Sequence, residues 1–161
     1  MKKPTKLRQQ YIDELELRGF SPQTIRVYVW IVAKLARHFN TPPAQLSDDE
    51  IKTYMLHQLR EKKWKASTAN VTVSALRLFY QLGAGRSIAE IEKVLPRLKV
   101  GVRRSQVYST AEVEQLLQAP GLNLMHRTLL MTAYAAGLRV SEVCHLKAEH
   151  ILSSRMQIRV E

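Results

Sequence analysis

Apolar residues recur at helical spacing four times in the first eighty-odd positions. Leu7, Tyr11, Ile12 and Leu15 share one face of a first helix that ends at Gly19. A second helix opens at Ser21, a residue able to cap it, with Pro22 at the first helical position. Its apolar face is Ile25, Tyr28, Val29, Val32, Leu35 and Phe39, and Asn40 with Pro42 and Pro43 stops it. Ser47 and Glu50 have the spacing of a capping box, so a third helix starts there and carries Ile51, Met55 and Leu59 inward. A fourth is predicted from about Ser67 to Leu82, with Ala69, Val73, Leu76 and Tyr80 on its core side. Four such helices on short loops form a compact bundle, with a further turn or helix around Ile88 to Leu95.

The pattern then changes. Residues 96–104 read as an extended basic linker, and the domain boundary falls there. The division is 1–97 for the first domain, 98–108 for the linker and 109–161 for the second region. Ser109 and Glu112 repeat the capping-box spacing ahead of Val113, Leu116 and Leu117. Residues 124–136 form a mostly apolar helix fit for burial on most sides, Tyr134 included. Gly137 breaks it, a short helix follows from Arg139 to Leu146, and residues 155–160 alternate as a strand does. The fold class is mainly α.

Charge separates the two regions further. Residues 1–100 hold 18 basic and 9 acidic side chains, whereas residues 101–161 hold 7 and 5. A polyanion partner therefore belongs to the first region, and nucleic acid is the commonest one, since each Lys or Arg placed on a phosphate releases counterions. The single cysteine, Cys144, excludes an internal disulfide and a cysteine-based zinc site. No segment reads as a signal peptide or membrane span. The expectation is a cytoplasmic protein without cofactor or metal.

Two polar stripes are the candidate interface. Gln23, Arg26, Trp30, Lys34 and Arg37 fall opposite the apolar face of the second helix. Asn70, Ser74, Arg77 and Gln81 keep to one side of the fourth. Lys62, Lys63 and Lys65 precede Ser67 and Thr68 at the start of that helix, where free N–H groups and the helix dipole favour phosphate. Neither helix contains an acid, whereas a merely solvated face normally mixes signs. Cations set register on the backbone, and Asn, Gln and Arg also read base edges. Arg103 and Arg104 in the linker complete the candidate DNA contacts.

Residues 131–151 resemble the first catalytic motif of the tyrosine recombinase (phage integrase) family. The matched core is Gly137, Leu138, Arg139, Val140, Ser141 and Glu142, with Leu146 and Ile151 at the expected downstream places. Ser109 to Pro120 is similar to the opening helix of that family's catalytic domain. Residues 20–25 and 65–68 resemble its core-binding, SAM-like module. The resemblance implies a four- to five-helix SAM-like bundle followed by a partial, mostly helical fragment of the catalytic domain. It also implies metal-free attack of a tyrosine on a DNA phosphate, with Arg139 stabilising charge on the non-bridging oxygens and Glu142 buttressing the site. The implied partners are duplex DNA and other recombinase subunits.

The family pattern continues past its first arginine with a hairpin lysine, a His-x-x-Arg motif, a further His or Trp, and the tyrosine. No tyrosine follows Arg139 in these 161 residues. His57 and Arg60 have the His-x-x-Arg spacing but precede Arg139, a chance match. His145 and His150 read as structural. The expectation is a truncated recombinase that binds DNA without cutting it alone. The alternatives are a non-enzymatic regulator competing with an intact recombinase, and a helical protein-interaction module. Residues 109–161 are expected to be less stable than 1–95, with the last strand left unpaired.

Overall fold

Small polar residues decide where the helices begin. In the computed structural model, which describes residues 5–101 and 106–160, Thr5 accepts from the Arg8 N–H ahead of α1 (Lys6–Leu17), and Ser21 accepts from the Thr24 N–H ahead of α2 (Pro22–Phe39). Ser47 and Glu50 form a reciprocal capping box at α3 (Asp48–Arg60). The same device opens α5 (Ile88–Val94) through Ser87 and Glu90. Each such cap is worth about 1 kcal/mol, because it satisfies N–H groups that have no partner inside the helix. Only α4 (Ala66–Leu82) among these five starts with no side-chain cap.

The chain divides into two units, Met1–Val102 and Arg103–Glu161. In the first, α2 packs on α1 and α4, and α5 lies against α3 and α4. Leu15, Leu35, Ile51, Ala75 and Leu76 are wholly buried at the centre. Burying each Leu or Ile of this set stabilises by roughly 1.5–3 kcal/mol. Two buried tyrosines stitch the bundle across long sequence separations. The Tyr11 hydroxyl donates to the Ala75 carbonyl at 2.9 Å, and its ring stands edge-on to Phe79. The Tyr80 hydroxyl donates to the Pro43 carbonyl at 2.9 Å, while Arg86 stacks over the Tyr80 ring and donates to Asp48 and the Leu46 carbonyl. Burial pushes both hydroxyls above the usual phenol range, so both remain donors.

One residue read as linker belongs to the bundle. The Asn70 side chain both donates to the Leu98 carbonyl and accepts from the Leu98 N–H, each at 2.9 Å. This two-bond clasp holds the chain against α4 four residues beyond α5. Residues 102–105 lie outside the described residues, and Arg103 and Arg104 with them.

The second unit contains α6 (Thr110–Leu117), opened by the Ser109–Glu112 capping box, α7 (Leu124–Ala136), capped by Asn123, and α8 (Val140–Cys144). Three sequence expectations change here. The apolar helix 124–136 forms but is not enclosed by the rest of its unit: Leu124, Met125, Met131 and Tyr134 are exposed. Tyr134, read as core, is 58% exposed. The terminal strand is not unpaired. β1 (Ile151–Leu152) and β2 (Gln157–Ile158) form an antiparallel hairpin, with Ile151 opposite Ile158 and Leu152 opposite Gln157. A turn through Ser153–Arg155 and a left-handed Met156 folds the chain back on itself, so the strand finds its partner a few residues upstream.

Candidate nucleic-acid interface

The exposed side of α2 and the start of α4 carry cations that the sequence points to, Arg26, Lys34 and Arg37 on one and Lys63 and Lys65 at the other. Gln23, Arg26 and Arg37 are exposed on α2. Arg26 and Arg37 each turn an Nε back to the carbonyl four residues earlier, Pro22 and Ala33, which tethers the side chain along the helix. Lys34 is half-buried, its ammonium between two indoles, 5.3 Å from the centre of Trp30 and 4.6 Å from that of Trp64. Such cation–π contacts hold a charge in place without neutralising it.

The loop from α3 to α4 is tightly wound. The Trp64 N–H donates to the Gln58 carbonyl, and Lys63 takes the left-handed region at φ 49°. That conformation is unfavourable for a residue with a Cβ by about 1–2 kcal/mol. It sets Lys63 and Lys65, both exposed, just ahead of the uncapped first turn of α4, where Ser67 and Thr68 are exposed as well. Backbone donors, dipole and two lysines thus coincide at a helix start, an arrangement suited to an anion.

The α4 stripe is used differently from the sequence expectation. Asn70, Ser74, Arg77 and Gln81 are all half-buried. Asn70 is committed to Leu98, as described above. Arg77 donates through Nε to the Leu95 carbonyl at 2.8 Å and through Nη1 to Glu92 at 2.8 Å. These two residues therefore fasten α5 and its following segment to α4. The periodic stripe is real, and α5 with the segment after it engages two of its positions, Asn70 and Arg77.

In the second unit, α7 ends at Gly137 in the left-handed conformation (φ 65°), and the Leu138 N–H reaches back to the Ala133 carbonyl. This reversal puts Arg139 at the N-cap of α8. Glu142, three residues on, accepts from the Arg139 N–H at 2.7 Å and from Arg139 Nη1 at 2.8 Å. The Arg139 side chain is 83% exposed and that of Glu142 20%. Hydrogen bonds from the Arg139 backbone and side chain, with the guanidinium charge beside it, hold the Glu142 carboxyl below the usual carboxylate range. One carboxylate thus orients the guanidinium while most of its five donors stay uncommitted. His150 is buried and its carbonyl accepts from the Arg159 N–H, tying the hairpin together; His145 is exposed, with its ring on the Ser141 carbonyl. His57 and Arg60 lie on α3 in the other unit.

Sequence reasoning missed a second group in the first unit. Tyr54 and Gln58 of α3, with His38 at the end of α2, line a cleft of about 710 Å³ together with Trp30, Lys34 and Trp64. Tyr54 and Gln58 are one turn apart on the same α3 face as Ile51, which marks them as inward-facing. Trp64 sits in a loop, and nothing in its local pattern places it there.

Among the described residues no helix is long and apolar enough to cross a membrane, and no three His, Cys, Asp or Glu side chains are grouped to hold a metal ion. Residues 7–90 match the family model for the phage integrase N-terminal SAM-like domain. The chain is 37% identical over 157 residues to the integrase/recombinase y4qK of Sinorhizobium fredii, covering 98% of this chain and 50% of that one. It is 30% identical over 149 residues to the tyrosine recombinase XerA of Pyrococcus horikoshii, covering 89% and 47%. A crystal structure of XerA recombinase aligns with 98% of this chain and 55% of its own at 18% identity and a TM-score of 0.48. The chain spans about half the length of the curated relatives it matches.

Proposed function

The chain belongs to the tyrosine recombinase (phage integrase) family, and from that premise we propose that residues 1–161 are the DNA-binding portion of a site-specific recombinase, unable to cleave DNA alone. The observation that carries this reading is that α2 and α4, which pack on each other, contain no acid, while α2 and the loop before the uncapped start of α4 present exposed cations. Gln23, Arg26, Lys34 and Arg37 meet the duplex from α2. Lys63, Lys65, Ser67 and Thr68 hold a phosphate at the start of α4. The commitments of Asn70 and Arg77 within the bundle weigh against direct base reading by those two.

Arg139 is the family's first phosphate-stabilising arginine in this reading, and Glu142 is its positioning residue. The chemistry also needs a nucleophile, and the 161 residues offer no tyrosine after Arg139. Phosphate stabilisation without a nucleophile yields binding, not cleavage.

Duplex affinity measured against salt tests the proposal. The wild-type chain is expected to bind duplex DNA with a steep negative log–log slope. Replacing Lys63 and Lys65 together by Ala is expected to reduce that slope by about 1.8, roughly 0.9 for each phosphate no longer neutralised. A nicked suicide substrate is expected to give no covalent adduct. An unchanged slope would remove the two lysines from the interface, no binding at low salt would overturn the DNA reading, and an adduct would overturn the assignment of binding without cleavage.

A further inference from the structure

The cleft between α2 and α3 has features that a duplex-backbone interface does not require. Its mouth is cationic, with Lys34, Arg37 and Lys62, and among the described residues no carboxylate lines it. Two residues of its wall, Tyr54 and Gln58, each carry a polar atom that is closed to solvent and finds no hydrogen-bond partner among the described residues, the Tyr54 hydroxyl and Gln58 Oε1. Tyr54 is 1% exposed and Gln58 3%. Buried polar groups are paired in the large majority of native interiors, and two exceptions on residues of one cavity wall mark a place where a ligand can supply the partners. Burial pushes the Tyr54 hydroxyl above the usual phenol range, so it stays a donor, while Gln58 Oε1 is an acceptor.

The cleft is also lined with π faces. Trp30 is 55% exposed although large and apolar, and Trp64 faces the same Lys34 ammonium. The His38 ring stands against Tyr54 at 5.0 Å and His57 at 5.5 Å. The cleft is open to solvent, and its volume of about 710 Å³ leaves room for a small molecule.

We propose that this cleft binds a single unpaired nucleotide. A nucleobase edge presents a donor and an acceptor side by side, the complement of Gln58 Oε1 and the Tyr54 hydroxyl. Its ring stacks on the aromatic wall, and its phosphate meets Lys34, Arg37 and Lys62 at the mouth. A base within a duplex has its pairing edge occupied and cannot reach the inner wall. The occupant is therefore either a free nucleotide or a base extruded from a strand. The cleft shares Lys34 and Arg37 with the proposed duplex surface of α2, whereas Tyr54 and Gln58 belong to the cleft alone.

The protein carries its own probe. Trp30 and Trp64 are its two tryptophans, and both line the cleft. Titrating the full chain with dAMP, dCMP and inorganic phosphate is expected to change tryptophan emission saturably with the nucleotides, at least tenfold more tightly than with phosphate. Tyr54→Phe and Gln58→Met are each expected to weaken nucleotide binding about tenfold while the circular-dichroism melt stays cooperative. A duplex with one unpaired, bulged base that displaces the nucleotide better than the fully paired duplex would identify the strand as the source; a bulged duplex that displaces it no better would identify the mononucleotide. No saturable change, an equal response to phosphate, or wild-type affinity in a variant that retains its fold would overturn the proposal. Binding of the fully paired duplex, followed by anisotropy of labelled DNA, reports separately on the DNA reading.

Discussion

The two units of this chain are built from the same ingredients and bury them unequally. Both begin helices with Ser-x-x-Glu capping boxes, at Ser47 and Ser87 in the first and at Ser109 in the second. Both contain a long apolar helix. Yet 18 hydrophobic residues form the buried cluster of the first unit, whereas among the described residues of 103–161 the buried ones are Val143 and His150. Caps and periodicity decide that a helix forms. Whether its apolar face contributes stability depends on what packs against it. α4 has partners on several sides in α2, α3 and α5; α7 packs mainly with α6 and α8 among the described elements of its unit.

The largest expected effect tests that contrast directly. Leu76, wholly buried on α4, and Leu129, 41% exposed on α7, are chemically identical. Leu76→Ala is expected to cost about 2–5 kcal/mol, the lost burial plus the cavity left behind. That is a large share of a typical domain's stability. Leu129→Ala is expected to stay within about 0.5 kcal/mol, as exposed substitutions do. Urea melts give the totals, and hydrogen exchange over α4 and α7 shows which unit loosens. Equal losses would mean that α7 is enclosed in solution and that the contrast is wrong.

The same contrast explains which parts of the fold and site were legible in the sequence. Local signals were sufficient for the caps at Ser21, Ser47 and Ser109, the breaks at Asn40 and Gly137, and the inward positions Ala69, Val73, Leu76 and Tyr80 of α4, whereas on α2 they missed the buried Ile31. Two errors in the second unit came from reading composition as environment. Tyr134 lies in an apolar run, but no neighbouring element of its unit covers it; the last strand found its partner through a turn at Met156 that carries no Gly or Asn signal. At the α4 stripe the limit was of the opposite kind. Its period gave the correct face, but only the tertiary structure shows that residues 92–98 pack on it. The cleft was hidden because its parts come from two helices and a loop, and its key atoms, Tyr54 and Gln58, look like ordinary members of a core face.

A middle-sized effect sharpens the comparison within the first unit, between a cation facing outward and one turned inward. Lys63 is exposed, while the Arg77 side chain is 21% exposed and bonded to Leu95 and Glu92. Arg77→Met is expected to lower stability by about 1–2 kcal/mol, since it strips a partly buried carbonyl and a carboxylate of their charged donor. It is expected to leave the salt dependence of DNA binding as in wild type. Lys63→Ala should do the reverse, with an unchanged urea midpoint and a shallower slope. A shallower slope for Arg77→Met at unchanged stability would place Arg77 on the phosphate backbone instead.

The smallest expected effect concerns the Arg139–Glu142 pair of the less buried unit. Glu142 is held below its ordinary 4.5 by the Arg139 N–H first, then by the guanidinium's hydrogen bond and charge. A carboxyl whose folded value lies below its unfolded one adds stability above the unfolded value, and that stability is lost as pH falls through the folded value. The start of α8 is therefore expected to loosen in acid, below the ordinary carboxylate range, and Glu142→Gln is expected to abolish that pH dependence. Arg139→Ala separates the causes. It removes the guanidinium but leaves the backbone N–H, so the Glu142 midpoint, followed by NMR of its side-chain carboxyl, should rise only part of the way toward 4.5. A midpoint that does not move would mean that the exposed guanidinium spends its time in water rather than on Glu142, and that Glu142 caps the helix without orienting Arg139. A midpoint that returns fully would mean that the guanidinium, not the backbone, holds the carboxylate, and that the cap depends on the arginine it supports.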